Sequence, residues 1–174
     1  MILEYIRLVN IKSFEDERLH FSRGINIIAG RNGAGKSTII EAVGIALFDS
    51  WPGKFKEGNA RVGFIRRGQG EGLIEVSLMV EKRHYRIVTS LGERRRRGKQ
   101  PTIDYERVLY HGSGEQLSAS AGRKEEFQED IRTEILGTTR IDDDKLFENI
   151  IGTAQGTFDE PFTRIERERK RLFE

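Results

Sequence analysis

At 174 residues the chain fits one domain, long enough to bury about two-thirds of the surface it exposes unfolded, so a core needs no covalent staple. It contains no cysteine, which excludes disulfides and thiolate metal sites and leaves three histidines as candidate imidazole ligands. Thirty Lys and Arg nearly cancel twenty-eight Asp and Glu, so net charge does not announce a nucleic-acid binder and any basic surface must be local.

In chain order, Ile2, Ile6 and Leu8 punctuate a first strand, and Leu19 and Phe21 a second. Ser22-Arg23-Gly24 then turns the chain into Ile25-Asn26-Ile27-Ile28-Ala29, a short β-branched run with the composition of a strand buried on both faces. Glycines follow at once, and from Ser37 the positions Ile39, Ile40, Val43 and Leu47 have helical spacing. The unit reads as strand, glycine loop, helix.

Ser50-Trp51-Pro52-Gly53 ends that helix, and a polar, glycine-bearing connection runs to about Gly72. Ile74, Val76, Leu78 and Val80 alternate with polar residues, Tyr85-Arg86-Ile87-Val88 forms the second arm of a hairpin, and a further arm covers Thr102 to Tyr110 beyond the basic tip Arg94-Arg95-Arg96-Arg97-Gly98-Lys99. This middle part is predicted as an antiparallel meander appended to the strand, glycine loop and helix unit. From Gly122 to Leu136 a helix is predicted, with Phe127, Ile131 and Ile135 on one face, and a second helix over Asp142 to about Ile151. Phe162, Ile165 and Leu172 set a sparse apolar seam on a highly charged helix, the expected root of a coiled coil. The expected domains are a lobe over 1–159 and a coiled-coil start over 160–174. No apolar run approaches the roughly 18 residues needed to cross a membrane, and charges break up Met1 to Arg7, so we expect a soluble intracellular protein without a signal peptide. High charge without cysteine also suits a thermophile.

The chemistry is concentrated in Gly30-Arg31-Asn32-Gly33-Ala34-Gly35-Lys36-Ser37, a match to G-x-x-x-x-G-K-[ST]. A triphosphate presents many hydrogen-bond-accepting oxygens, so its site needs many donors without bulky side chains in the way. Glycines let successive backbone N–H groups turn inward, and the helix that follows adds free N–H groups and the positive end of its dipole. Lys36 can reach the β- and γ-phosphates while the Ser37 hydroxyl ligates Mg²⁺. A chance match in a chain of this length is on the order of one in a hundred from background residue frequencies, and here it falls between strand and helix, the context that the chemistry demands. ATP and Mg²⁺ are therefore the expected ligands.

Asn10-Ile11-Lys12-Ser13-Phe14, Phe21 through Gly30, and Asn32-Gly33-Ala34-Gly35-Lys36-Ser37-Thr38-Ile39-Ile40-Glu41-Ala42 resemble the SMC-like ATPases, closest to the Rad-fifty/SbcC double-strand-break-repair ATPases and above all to archaeal members. Chromosomal SMC proteins usually carry Asn where this chain has Thr38. The resemblance implies an α/β fold: a P-loop ABC-ATPase-type half-head with an antiparallel β meander, a helical segment and the start of a coiled coil. Position by position it implies that Lys12 and Ser13 face the nucleotide phosphates. Asn32, Gly33, Ala34, Gly35, Lys36, Ser37 and Thr38 match the phosphate loop. Ile65, Arg66 and Arg67 match a segment near base and ribose, and Gln155 matches the Q-loop glutamine that contacts Mg²⁺ and the attacking water.

The resemblance further implies ATP-driven pairing of two heads, binding of double-stranded DNA, an SbcD-type nuclease subunit at the coiled-coil base near 160–174, and a cytoplasmic, nucleoid-associated location without membrane. Zinc is expected, if anywhere, in the hinge of the full-length protein. Hydrolysis in this class needs a carboxylate on a buried strand, a second to polarise water, and a signature loop donated in trans. Ser113-Gly114-Glu115-Gln116 looks like that loop but lacks its leucine and its helix, and Asp159-Glu160 is preceded by no apolar strand. We therefore expect these residues by themselves to bind ATP weakly and turn it over negligibly until the C-terminal half of the same ATPase joins them. The alternatives are an SMC or RecF-like ATPase without a nuclease partner, an ABC transporter subunit, disfavoured by the charged helix after Gln155, and a nucleotide-sensing structural clamp. For the arginine run, a solvated hairpin tip is preferred over DNA phosphate contact.

Overall fold

The computed structural model describes residues 1–137 apart from 57, 113 and 122. The predicted helix from Asp142, Gln155, the Asp159-Glu160 pair and the coiled-coil root at 160–174 lie outside the described residues.

The described residues form six antiparallel strands: β1 (Ile2–Ile11), β2 (Phe14–His20), β3 (Glu71–Val80), β4 (Arg83–Arg94), β5 (Thr102–His111) and β6 (Glu115–Ala119). They form one sheet in the order β2-β1-β3-β4-β5-β6. The β3–β4 turn is made by Glu81 and Lys82, both at positive φ (47° and 71°), the pairing of two left-handed residues that suits the twist of a tight hairpin. Register aligns Ile6 with Val76, Val76 with Ile87 and Ile87 with Leu109, a row across four strands in which every side chain is buried. A one-residue slip of any of these strands would carry its part of the row to the opposite face, which fixes the pairing.

The predicted helix after the glycine loop forms as α1 (Lys36–Phe48), and it packs Ile39, Ala42, Ile45 and Ala46 into the core against β3 and β4. It ends at Asp49, whose left-handed φ of 52° lets its N–H return to the Gly44 and Ile45 carbonyls. The later helix is shorter than predicted: α2 (Lys124–Ile131) runs into a wider π turn over Arg132–Leu136, yet Phe127, Ile131 and Ile135 are all buried as their spacing requires. α2 is tied to the end of α1 by the Gln128 amide, which donates to the Leu47 carbonyl at 2.9 Å, and by Arg107. That arginine is 1% exposed, donates to Gln128 Oε1 at 3.0 Å and lies 3.7 Å from Asp49 Oδ2.

Three features differ from expectation. Residues 25–29 are no strand: Ile25 is 93% exposed and Ile27 87% exposed, with no ladder partner among the described residues. A run of this composition wants neighbours on both edges and cover on both faces, and none of the six described strands pairs with it. The connection after α1 is less polar than its composition suggests, because Trp51, Phe55 and Phe64 are buried in it and stack edge to face. Glu115 and Gln116 open strand β6, so the stretch that superficially resembles a signature loop leads into a sheet edge.

Candidate nucleotide site

The site is organised by the tight turn between β1 and β2. Ile11 pairs with Phe14, leaving Lys12 and Ser13 as the two turn residues, and Lys12 sits at φ 46°, in the left-handed region that a lysine seldom occupies. Neighbouring backbone holds it there: the Lys12 N–H donates to Phe64 O at 3.0 Å, the Arg66 N–H donates to Asn10 O at 2.8 Å, and Ile65 bridges Ile11. The Arg66 side chain closes the turn by donating to Ser13 O at 3.0 Å, with Glu15 3.5 Å away on its other side.

This turn lies directly against the glycine loop. Gly33 (φ 82°) and Gly35 (φ 96°) occupy the left-handed region, and a Cβ on Gly35 would fall 2.6 Å from Ser13 Oγ and 2.7 Å from Phe14 Cε2. Glycine at 35 is thus required twice, by conformation and by contact. α1 begins at once, with no capping side chain and no acidic residue in its first turn, so the positive end of the helix and its free N–H groups are left for an anion. Ser37 is exposed on that first turn, Thr38 is buried, and Asn32, Gly33 and Ala34 are open to solvent. The Lys36 ammonium folds back over the loop and donates to Gly30 O at 2.8 Å and Arg31 O at 2.9 Å.

Beside the turn opens a cleft of about 980 Å³ whose walls include Lys12, Phe55, Ile65, Arg66, Arg67 and Arg95. The structure therefore gathers Lys12, Ile65, Arg66 and Arg67 around one space and puts Ser13 between that space and the glycine loop. The loop itself does not line the cleft. Gln155 lies outside the described residues, so its position relative to Ser37 is not described. Among the described residues no group of three or more His, Asp or Glu side chains is arranged to hold a metal ion, and no helix is long and apolar enough to cross a membrane.

Sequence reasoning missed Glu41, whose carboxylate is ion-paired with the Lys12 ammonium across 29 residues of chain. It missed also Phe55 and Phe64, whose ring centroids lie 4.8 and 4.6 Å from that ammonium. For Glu41 a signal existed: it is four residues from Ser37 and so faces the same side of the helix. For the two rings no periodicity could have helped.

A glycine loop with this geometry, opening a helix that lies on a sheet, defines a phosphate-binding class of domain. The chain belongs to the AAA domain family, whose model matches residues 5–174. Within it the chain is of the Rad50/SMC-like kind and corresponds to the N-terminal half of an ATPase head. The DNA double-strand break repair Rad50 ATPase of Thermoplasma acidophilum is 32% identical over 175 residues, covering 100% of this chain and 17% of its own length. The corresponding protein of Thermoplasma volcanium is 38% identical over 106 residues, covering 61% and 11%. A solved structure of the recombination mediator protein RecF with ATP aligns at 16% identity and a TM-score of 0.47, over 67% of this chain and 28% of that one. The chain thus spans less than a fifth of these repair ATPases.

Proposed function

We propose that the chain is the N-terminal ATP-binding half of the head of an SMC-like DNA double-strand-break repair ATPase. One observation carries this reading: a glycine loop with an uncapped helix start lies against Ser13 and is preceded by solvent-exposed Ile25, Ile27 and Ile28. The loop has the donors for a polyphosphate. The isoleucines have no cover of their own.

The roles follow from the donor set. Backbone N–H groups from Asn32 to Thr38 hold the phosphates, with Gly33 and Gly35 permitting their inward turn. Lys36 exchanges its two loop carbonyls for phosphate oxygens, Ser13 donates its hydroxyl beside Gly35, and Lys12 reaches in from the adjoining turn. Ser37, with Gln155, holds Mg²⁺, whose positive charge offsets that of the phosphates. Ile65, Arg66 and Arg67 flank the base and ribose in the cleft.

α1 is apolar nearly all round, and Ile40 stays 43% exposed on its open side, the pattern of a helix meant to be covered on more than one face. The C-terminal half of the same ATPase is the partner that supplies this cover, pairs with residues 25–29 as a strand, and brings the carboxylates and signature loop needed for turnover. In the whole protein two such heads sandwich ATP, bind double-stranded DNA together and control an SbcD-type nuclease at the coiled-coil base. Release on hydrolysis is a population shift driven by contacts present in only one state.

The test is ATP binding, turnover and dimerisation of this chain, alone and with the C-terminal half, with Lys36→Ala as control. We expect turnover only with both halves, and a loss of ATP affinity on the order of tenfold to a hundredfold in the variant, the worth of one charge-assisted contact to phosphate. Full turnover by the chain alone sinks the half-head reading.

A further inference from the structure

Every ammonium group that the functional reading directs to the phosphates is already engaged within the chain. For Lys36 the acceptors are carbonyls of the loop it must serve. For Lys12 the arrangement is different and more specific. Its ammonium is held by a full negative charge, the Glu41 carboxylate, and lies within 5 Å of two aromatic ring centres, Phe55 and Phe64. Both charged side chains of the pair are mostly shielded, at 21% and 24% exposure. The turn that carries Lys12 is pinned by backbone hydrogen bonds to Phe64 and Arg66, so the lysine cannot swing away as a unit with its backbone.

Glu41 reaches Lys12 because it sits one helical turn after Ser37, on the same side of α1. Its carboxylate meets the Lys12 ammonium one helical turn beyond the loop expected to hold phosphate. In electrostatic terms it is an internal substitute for phosphate: an oxygen anion that satisfies Lys12. An incoming polyphosphate must compete with it, and the rings keep the ammonium in place during the exchange.

We propose that Glu41 is a positioning residue that acts through Lys12, holding its ammonium and lowering the affinity for nucleotides that carry phosphate. The inference rests on the reading of Lys12 as a phosphate ligand. Its effect is selective. Adenosine, which carries no phosphate, gains nothing from releasing Lys12, whereas a triphosphate does.

The experiment titrates MgATP and adenosine against the wild-type chain, Glu41→Gln, Lys12→Ala and the double variant. The amide keeps the shape of the carboxylate and removes its charge. We expect Glu41→Gln to bind MgATP about threefold to fivefold more tightly, the scale of a partly shielded ion pair no longer opposed. Adenosine affinity stays unchanged. In the Lys12→Ala background the same substitution changes nothing, because the group it acts through is gone.

Unchanged or weaker MgATP binding by Glu41→Gln overturns the proposal. So does equal tightening with and without Lys12, which makes Glu41 merely a nearby negative charge, and so does an equal shift for adenosine, which marks a structural effect. Lys36→Ala runs alongside to separate the two levels. If it leaves MgATP binding untouched, or the wild-type chain binds none, the phosphate-site reading fails; if it weakens binding while Glu41→Gln does nothing, only the counter-ion role is lost.

Discussion

The sheet and the stretch from Ser22 to Gly35 are built from similar residues and meet opposite fates. Ile87 in β4 is fully buried, with neighbours on both sides of its strand, while Ile27 is 87% exposed and hydrogen-bonded to no ladder. Composition cannot separate the two, since both are β-branched residues in runs with strand character. Partners separate them: the β3–β4–β5 meander closes on itself through short connections, whereas the run before the glycine loop needs strands that the described residues do not supply. A closed meander and an uncovered apolar run thus coexist among the described residues.

The same substitution made in each region exposes the difference. Ile87→Ala should be the most costly change, about 2–5 kcal/mol by urea unfolding, from lost burial plus the cavity left in a row that crosses four strands. Gly35→Ala comes next, at about 1–3 kcal/mol, because it forces a left-handed residue and drives a methyl onto Ser13 and Phe14. Its larger consequence is local, since the Ser13 turn must move off the loop, and nucleotide binding should fall further than stability does.

The sheet's outer face sets a smaller effect, read in acid. Burial by itself raises the Glu4 carboxyl, but hydrogen bonds with His84 and Ser77 more than reverse this and lower it. The paired hydrogen bonds from Arg7, at 2.8 and 2.7 Å, hold Asp16 low against slight desolvation. Depressed carboxyls stabilise the fold above their unfolded values and lose that contribution as pH falls through the folded ones, so unfolding should ease below about pH 4. Denaturation midpoints across that range should flatten in a Glu4→Gln, Asp16→Asn double variant; an unaltered slope would assign acid sensitivity to other groups.

What was legible in the sequence divides along the same line. Strand alternation at Ile74, Val76 and Leu78, and the helical triad Phe127, Ile131 and Ile135, report side chains that meet their own chain, and both came out as read. The glycine loop was legible because its chemistry is local. β6 was not: Glu115-Gln116-Leu117-Ser118-Ala119 carries no alternating signal and is a strand only because β5 offers it an edge. Lys12 meeting Glu41, and the burial of Phe55 and Phe64, depend on three segments converging, which no period within one segment encodes. The run at 25–29 was misread for a related reason, since apolar character states that burial is wanted and not which chain provides it.

Ile27→Ala is the sharpest probe of that last point because its expected effect on this chain is nearly nil. An exposed side chain gives up no burial when trimmed, so unfolding should change by less than about 0.5 kcal/mol. With the C-terminal half present the same substitution should weaken association by about 2 kcal/mol or more, as the isoleucine becomes a core residue of a shared sheet. Stability of the chain and affinity for the proposed C-terminal half would then be governed by different isoleucines. If Ile27→Ala destabilises the chain alone as much as Ile87→Ala does, the run is already buried in solution and the half-head needs no partner to complete it.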